Sequence, residues 1–115
     1  MQGRRDRRRA WSAPSEVEAG TGVARQLRAA EELLAGRVAA PDFAREWLAG
    51  RRQALAGGER VREKFERILY DVFYVLDDDY VIDPALRGPG DLTDQQLTDR
   101  VRDAVERLRA LERHR

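Results

Sequence analysis

The chain has 115 residues, 22 basic against 21 acidic side chains, a net charge of +1 and no cysteine. That length suits one domain with a core large enough to fold unaided, while the missing thiols exclude a disulfide framework, a cysteine nucleophile and a thiolate-held zinc. The one histidine, His114, rules out histidine-rich metal sites and is poorly placed for a catalytic triad so near the last residue.

Apolar residues make up 42% of the chain and charged ones 37%, but the charges are mixed, so most of the sequence is expected to fold. No window approaches the length of an apolar membrane span. Met1–Arg9 is basic like the start of a signal peptide, yet no apolar segment follows, so the expected compartment is the cytoplasm and no membrane partner is expected.

Five arginines, Arg4, Arg5, Arg7, Arg8 and Arg9, surround Asp6, and the stretch to Thr21 is rich in Ser, Pro and Gly. It reads as a flexible basic arm over residues 1–21, followed by one domain over residues 22–115. Helical spacing begins with Val23, Leu27, Ala30 and Leu34, and Gly36 offers a stop. Pro41 and Asp42 suit the first turn of a second helix, whose buried face would carry Phe43, Trp47, Leu48 and Leu55 before Gly57–Gly58 ends it.

A third helix is expected from about Glu59, with Val61, Phe65, Ile68, Leu69, Val72, Phe73 and Leu76 on its apolar face. Strand is the rival reading of Leu69–Leu76, but the helical repeat leading into it favours helix. Pro84, Gly88, Pro89 and Gly90 impose a loop. The last helix has the clearest start: Thr93 and Gln96 form a capping box, flanked by the staple pair Leu92 and Leu97. Leu97, Val101, Ala104, Leu108 and Leu111 then mark its stripe. The expected fold is all-α, an antiparallel four-helix bundle with a flexible basic N-terminal arm.

Charge is distributed unevenly along this frame. Residues 1–70 carry 15 basic and 10 acidic side chains, a net of +5, whereas residues 71–115 carry 7 and 11, a net of −4. Between Asp71 and Asp103 nine aspartates face three arginines. Such a surface repels phosphate backbones and attracts basic partners, so direct nucleic-acid binding is not expected of it. The arginine arm supports the alternative, a nucleic-acid-associated or regulatory helical protein.

The densest acid is Asp77-Asp78-Asp79, with Asp83 close behind, at the negative end of the third helix. A calcium loop counted from Asp77 would need glycine at its sixth position and glutamate at its twelfth, where Ile82 and Gly88 stand. Paired-carboxylate hydrolysis by Asp77 and Asp79 would need an apolar pocket to raise one pKa, and nothing in this loop promises one. A magnesium–phosphate site on Asp77, Asp78 and Asp83 would need basic phosphate ligands or a glycine-rich loop, also missing. No metal, no cofactor and no catalysis are therefore expected. Tyr70, Tyr74 and Tyr80 instead suggest an aromatic-flanked acidic docking surface, although core packing accounts for them equally well.

From Phe65 to Leu108 the sequence resembles the bacterial self-protective immunity family typified by the colicin D immunity protein. The likeness lies in the helix through Phe73, the turn with Asp78 and Tyr80, Asp83-Pro84-Ala85-Leu86-Arg87, and the Leu92-to-Leu97 start of the final helix. Leu33 through Val38, followed by Phe43 and Trp47, suits the family's first helical pair, and the likeness spans about residues 25–110. It implies a non-catalytic four-helix protein that binds the basic nuclease domain of a cognate toxin, a tRNA-cleaving one in the best-known case, and replaces the RNA phosphates with its own acid. On that reading Asp77, Asp78, Asp79, Tyr80, Asp83 and Tyr74 form the docking surface, and Arg87 braces the loop. The arginine arm is a departure from the family's core.

Overall fold

The computed structural model describes residues 9–113. The arginines at positions 4, 5, 7 and 8 and His114 lie outside the described residues. Four α-helices follow one another: α1 (Gly22–Leu34), α2 (Ala40–Ala56), α3 (Glu63–Tyr74) and α4 (Asp94–Glu112). Among the described residues there is no strand, only an isolated parallel bridge between Trp11 and Val61. The all-α expectation holds. Helix α1 packs chiefly on α2 and α3 chiefly on α4, and α1 and α2 each also touch α4.

Side-chain caps fix the starts of α1 and α4. Thr21 caps α1 by accepting from the Ala24 N–H at 3.2 Å, and the Glu59 carboxylate accepts from the Gly22 and Val23 N–H groups at 2.7 and 2.9 Å. A carboxylate against a helix N-terminus satisfies two orphan donors and favours the dipole. This use of Glu59 corrects the expected start of α3. The positive φ of Gly58, 67°, turns the chain so that Glu59 reaches α1, and the helix begins four residues later, at Glu63. The capping box of α4 is present in both directions: Gln96 N–H donates to Thr93 Oγ1 at 3.0 Å, and Thr93 N–H to Gln96 Oε1 at 2.8 Å.

Helices α1 and α2 meet backbone to backbone. A methyl group on Gly22 would lie 2.3 Å from the Gly50 carbonyl oxygen, so only glycine allows this approach. Around it the core gathers Val23, Ala30 and Leu33 from α1, Phe43, Ala44 and Trp47 from α2, Phe65, Ile68 and Val72 from α3, and Leu97, Val101, Ala104 and Leu108 from α4. Leu55, expected on the buried face of α2, is 66% exposed. Twelve residues beyond Phe43 the helix has rotated about 120° off its stripe, whereas Ala54 sits within about 20° of it and is buried.

The segment before α1 also departs from expectation. Trp11 is 3% exposed and Ala13 fully buried. The Trp11 N–H donates to the Arg60 carbonyl at 3.0 Å, and the Arg62 N–H to the Trp11 carbonyl at 2.8 Å. A 3-10 turn over Pro14–Glu16 follows, and Ser15 donates through its N–H and its Oγ to the Glu112 carboxylate at 2.8 and 2.7 Å. Within the expected arm, residues 11–17 are thus packed against the helices. The reason is the large area an indole removes from water, about 150–250 Å² for an aromatic side chain.

Candidate partner-binding surface

Leu69–Leu76 is helical, as expected, but α3 does not end cleanly. It runs into a π-helical turn, Val75–Asp79, closed by the Tyr80 N–H donating to the Val75 carbonyl at 3.0 Å. Such wide turns occur disproportionately at functional sites. The turn carries Asp77, Asp78 and Asp79, all exposed, with Leu76 buried beneath them. The Leu92 N–H donates to the Asp79 carbonyl at 2.9 Å and closes the loop that leads to α4.

In and around that loop the acid divides into two kinds. Asp94 accepts from Arg87 Nη2 at 2.7 Å and from the Tyr80 hydroxyl at 2.8 Å. Asp91 accepts from the Gly88 N–H at 2.7 Å, Asp71 from Arg107 at 2.8 Å, and Asp99 from Arg102 at 3.1 Å. Asp83 accepts from the Ala85 N–H at 3.0 Å and starts a 3-10 turn, Pro84–Leu86. These carboxylates shape the molecule. Among the described residues Asp77, Asp78 and Asp79 have no side-chain hydrogen bond, and none of them, nor Asp83, has a cation at ion-pair distance.

Tyr80 is not part of the exposed set. It is 4% exposed, its hydroxyl lies between Asp94 and Arg87, and the Arg87 guanidinium sits 4.8 Å from its ring centroid. Arg87 also donates through Nε to the Val81 carbonyl at 2.7 Å. Burial, and secondly the hydrogen bond to Asp94, push the Tyr80 hydroxyl up to about 12. The docking role expected of Tyr80 is therefore corrected to an inward one: after the π turn the chain is extended at Tyr80, and its ring falls on the core side. Tyr74 does face solvent, stacked on Tyr70 with ring centroids 5.8 Å apart. Arg51 of α2 covers the neighbouring Phe73 ring at 3.8 Å.

One exposed apolar residue was not singled out by the sequence reading. Leu86, at the end of the 3-10 turn beside Asp83, is 73% exposed. Sequence gives it only as part of the Asp83–Arg87 motif; the fold shows its side chain in solvent. Among the described residues no three acidic or histidine side chains converge to hold a metal ion, and no helix is long and apolar enough to cross a membrane.

The helices and the loop together define a small all-α protein whose most distinctive surface is a braced, outward-facing array of carboxylates. Residues 23–108 match the family model described as bacterial self-protective colicin-like immunity. The match spans most of the chain, and the protein belongs to that family. No curated protein and no solved structure matches it.

Proposed function

We propose that this chain is a non-catalytic immunity protein, acting in the cytoplasm of the producing cell, that binds and inhibits the basic nuclease domain of a cognate toxin, of tRNA-cleaving type. Its docking surface is Asp77, Asp78, Asp79 and Asp83, flanked by Tyr74 and Leu86, with Arg87 as the loop's brace and the four helices in antiparallel order as the scaffold. The observation that carries this reading is the uncompensated charge of the π turn. Three neighbouring carboxylates repel one another and oppose the helix C-terminus, at about 0.3–1 kcal/mol for each interaction with the dipole. Among the described residues no cation offsets that cost.

A basic partner would supply the offset. A nuclease presents lysines and arginines to its substrate's phosphates, so a fixed acidic array gains both steering and register against it. The exposed Leu86 and Tyr74 give the charged surface an apolar contact, which long-range attraction alone does not provide.

The test is inhibition. Wild-type protein recovers its partner from lysate of the producing cell after nuclease treatment, and the recovered nuclease's RNA cleavage is assayed against added protein. Asp78→Lys is expected to slow association by about tenfold or more at low salt, with unchanged helix content. Inhibition by Asp78→Lys and Asp79→Lys at wild-type strength would refute the acidic surface.

A further inference from the structure

A second feature lies away from the acidic loop, where α1, α2 and α3 meet. A cavity of about 90 Å³ opens there, and its wall includes Gln26, Trp47, Leu55, Glu59, Glu66 and Tyr70. Gln26 is 3% exposed, and among the described residues its carboxamide has no hydrogen-bond partner. A buried amide left unsatisfied is rare in native proteins, because it forfeits hydration and receives nothing in exchange. Leu55 and Tyr70, on the same wall, are exposed, and the Gln26 amide lies on a buried floor otherwise made of Val23, Trp47 and Ala54.

The charges around it are unequal in availability. Arg51 also lines the cavity, but its guanidinium is stacked on Phe73 at 3.8 Å. Glu66 is exposed and has no cation at ion-pair distance among the described residues. Glu59 holds the α1 N-terminus with one N–H on each oxygen, which leaves each oxygen further acceptor capacity. An incoming group meets the exposed Leu55 and Tyr70, two carboxylates, the unpartnered Gln26 amide and, beside them, the charge of Arg51.

We infer that this cavity receives one lysine or arginine side chain of a basic partner, the alkyl stem against Leu55 and Tyr70 and the cationic head toward Glu66, Glu59 and Gln26. Long cationic side chains lay their stems along apolar surface, and a head taken out of water needs carboxylate and amide acceptors around it. The inference deepens the proposed function, since the partner it names is the basic nuclease domain. It adds a second anchor, reached along α3 through Tyr70, which stacks on Tyr74, that would fix the partner's orientation as well as its attraction.

The probe is n-butylammonium, titrated into the ¹⁵N-labelled full chain, with n-butanol and butyrate at matched ionic strength as comparisons. The expected result is saturable movement of the Gln26 side-chain NH₂ and Trp47 indole N–H resonances with the amine alone, and an apparent Kd raised by about threefold in Glu66→Gln. No movement, or equal movement with butanol or butyrate, would overturn the inference. Because this titration needs no toxin, its failure leaves the Asp78→Lys result to decide the proposed function separately.

Discussion

The segment before α1 and the loop before α4 are both irregular, and both connect distant parts of the fold, but different forces hold them. Residues 11–17 are fixed by burial: Trp11 and Ala13 enter the core, and two backbone hydrogen bonds tie Trp11 to the turn at Arg60–Arg62. Residues 80–92 are fixed by polar contacts: Arg87 reaches Tyr80, Val81 and Asp94, and Asp91 and Asp83 fold the turns around it. Burial spends the side chains it uses. A polar brace inside the loop leaves outer side chains free, and Leu86 of the loop and Asp77, Asp78 and Asp79 of the turn before it are displayed there.

The comparison breaks if both stretches respond alike to truncation. Trp11→Ala should cost the whole protein about 3–5 kcal/mol, the usual range for emptying an aromatic site in a packed core. Urea titration reads this as a lower midpoint with little change in slope. A loss below about 1 kcal/mol would mean that Trp11 contributes little to the core. Arg87→Ala should cost less, about 1–3 kcal/mol, because it orphans the Val81 carbonyl but leaves Tyr80 hydrogen-bonded to Asp94. The sharper readout is local. Hydrogen exchange at the Leu92 amide, which bonds to Asp79, should accelerate in Arg87→Ala while α1 and α2 keep their protection. Uniform acceleration across all four helices would place Arg87 in the global core instead.

The sequence was most legible where the signal is local. Thr93 and Gln96 are three residues apart, and the capping box they form is the one their spacing describes. The acid of the π turn was equally plain, since three consecutive aspartates cannot all be buried without partners. What sequence reading missed depends on contacts made at long range. Glu59 caps a helix that begins 37 positions earlier, and Trp11 finds its bridge at Val61. Nothing in the composition of either neighbourhood marks those pairings. Tyr80 was misplaced for a subtler reason: where a helix ends and an extended stretch begins, the change of period decides which way each side chain faces. Leu55 fell to the same arithmetic within a helix, one residue beyond the position that stays on the stripe.

The finest test of the loop's polar brace is its response to alkali. The fold favours neutral Tyr80, whose hydroxyl is raised from 10.0 to about 12 by burial and then by its hydrogen bond to Asp94. For an acid held up in the folded state, the stabilisation is whole below the unfolded value and falls as pH climbs through the folded one. Tyr80→Phe removes both the titration and the hydrogen bond, so wild type should be more stable by about 1 kcal/mol near neutrality. That advantage should shrink between pH 10.0 and about 12. Measuring denaturation midpoints of both proteins across this window cancels the titrations they share. A gap that stays constant through the window would mean that Tyr80 titrates as freely as an exposed tyrosine, and that water rather than Arg87 and Asp94 surrounds its hydroxyl. A gap that closes would tie the loop's geometry to one buried phenol, which keeps the acid above it outside the core.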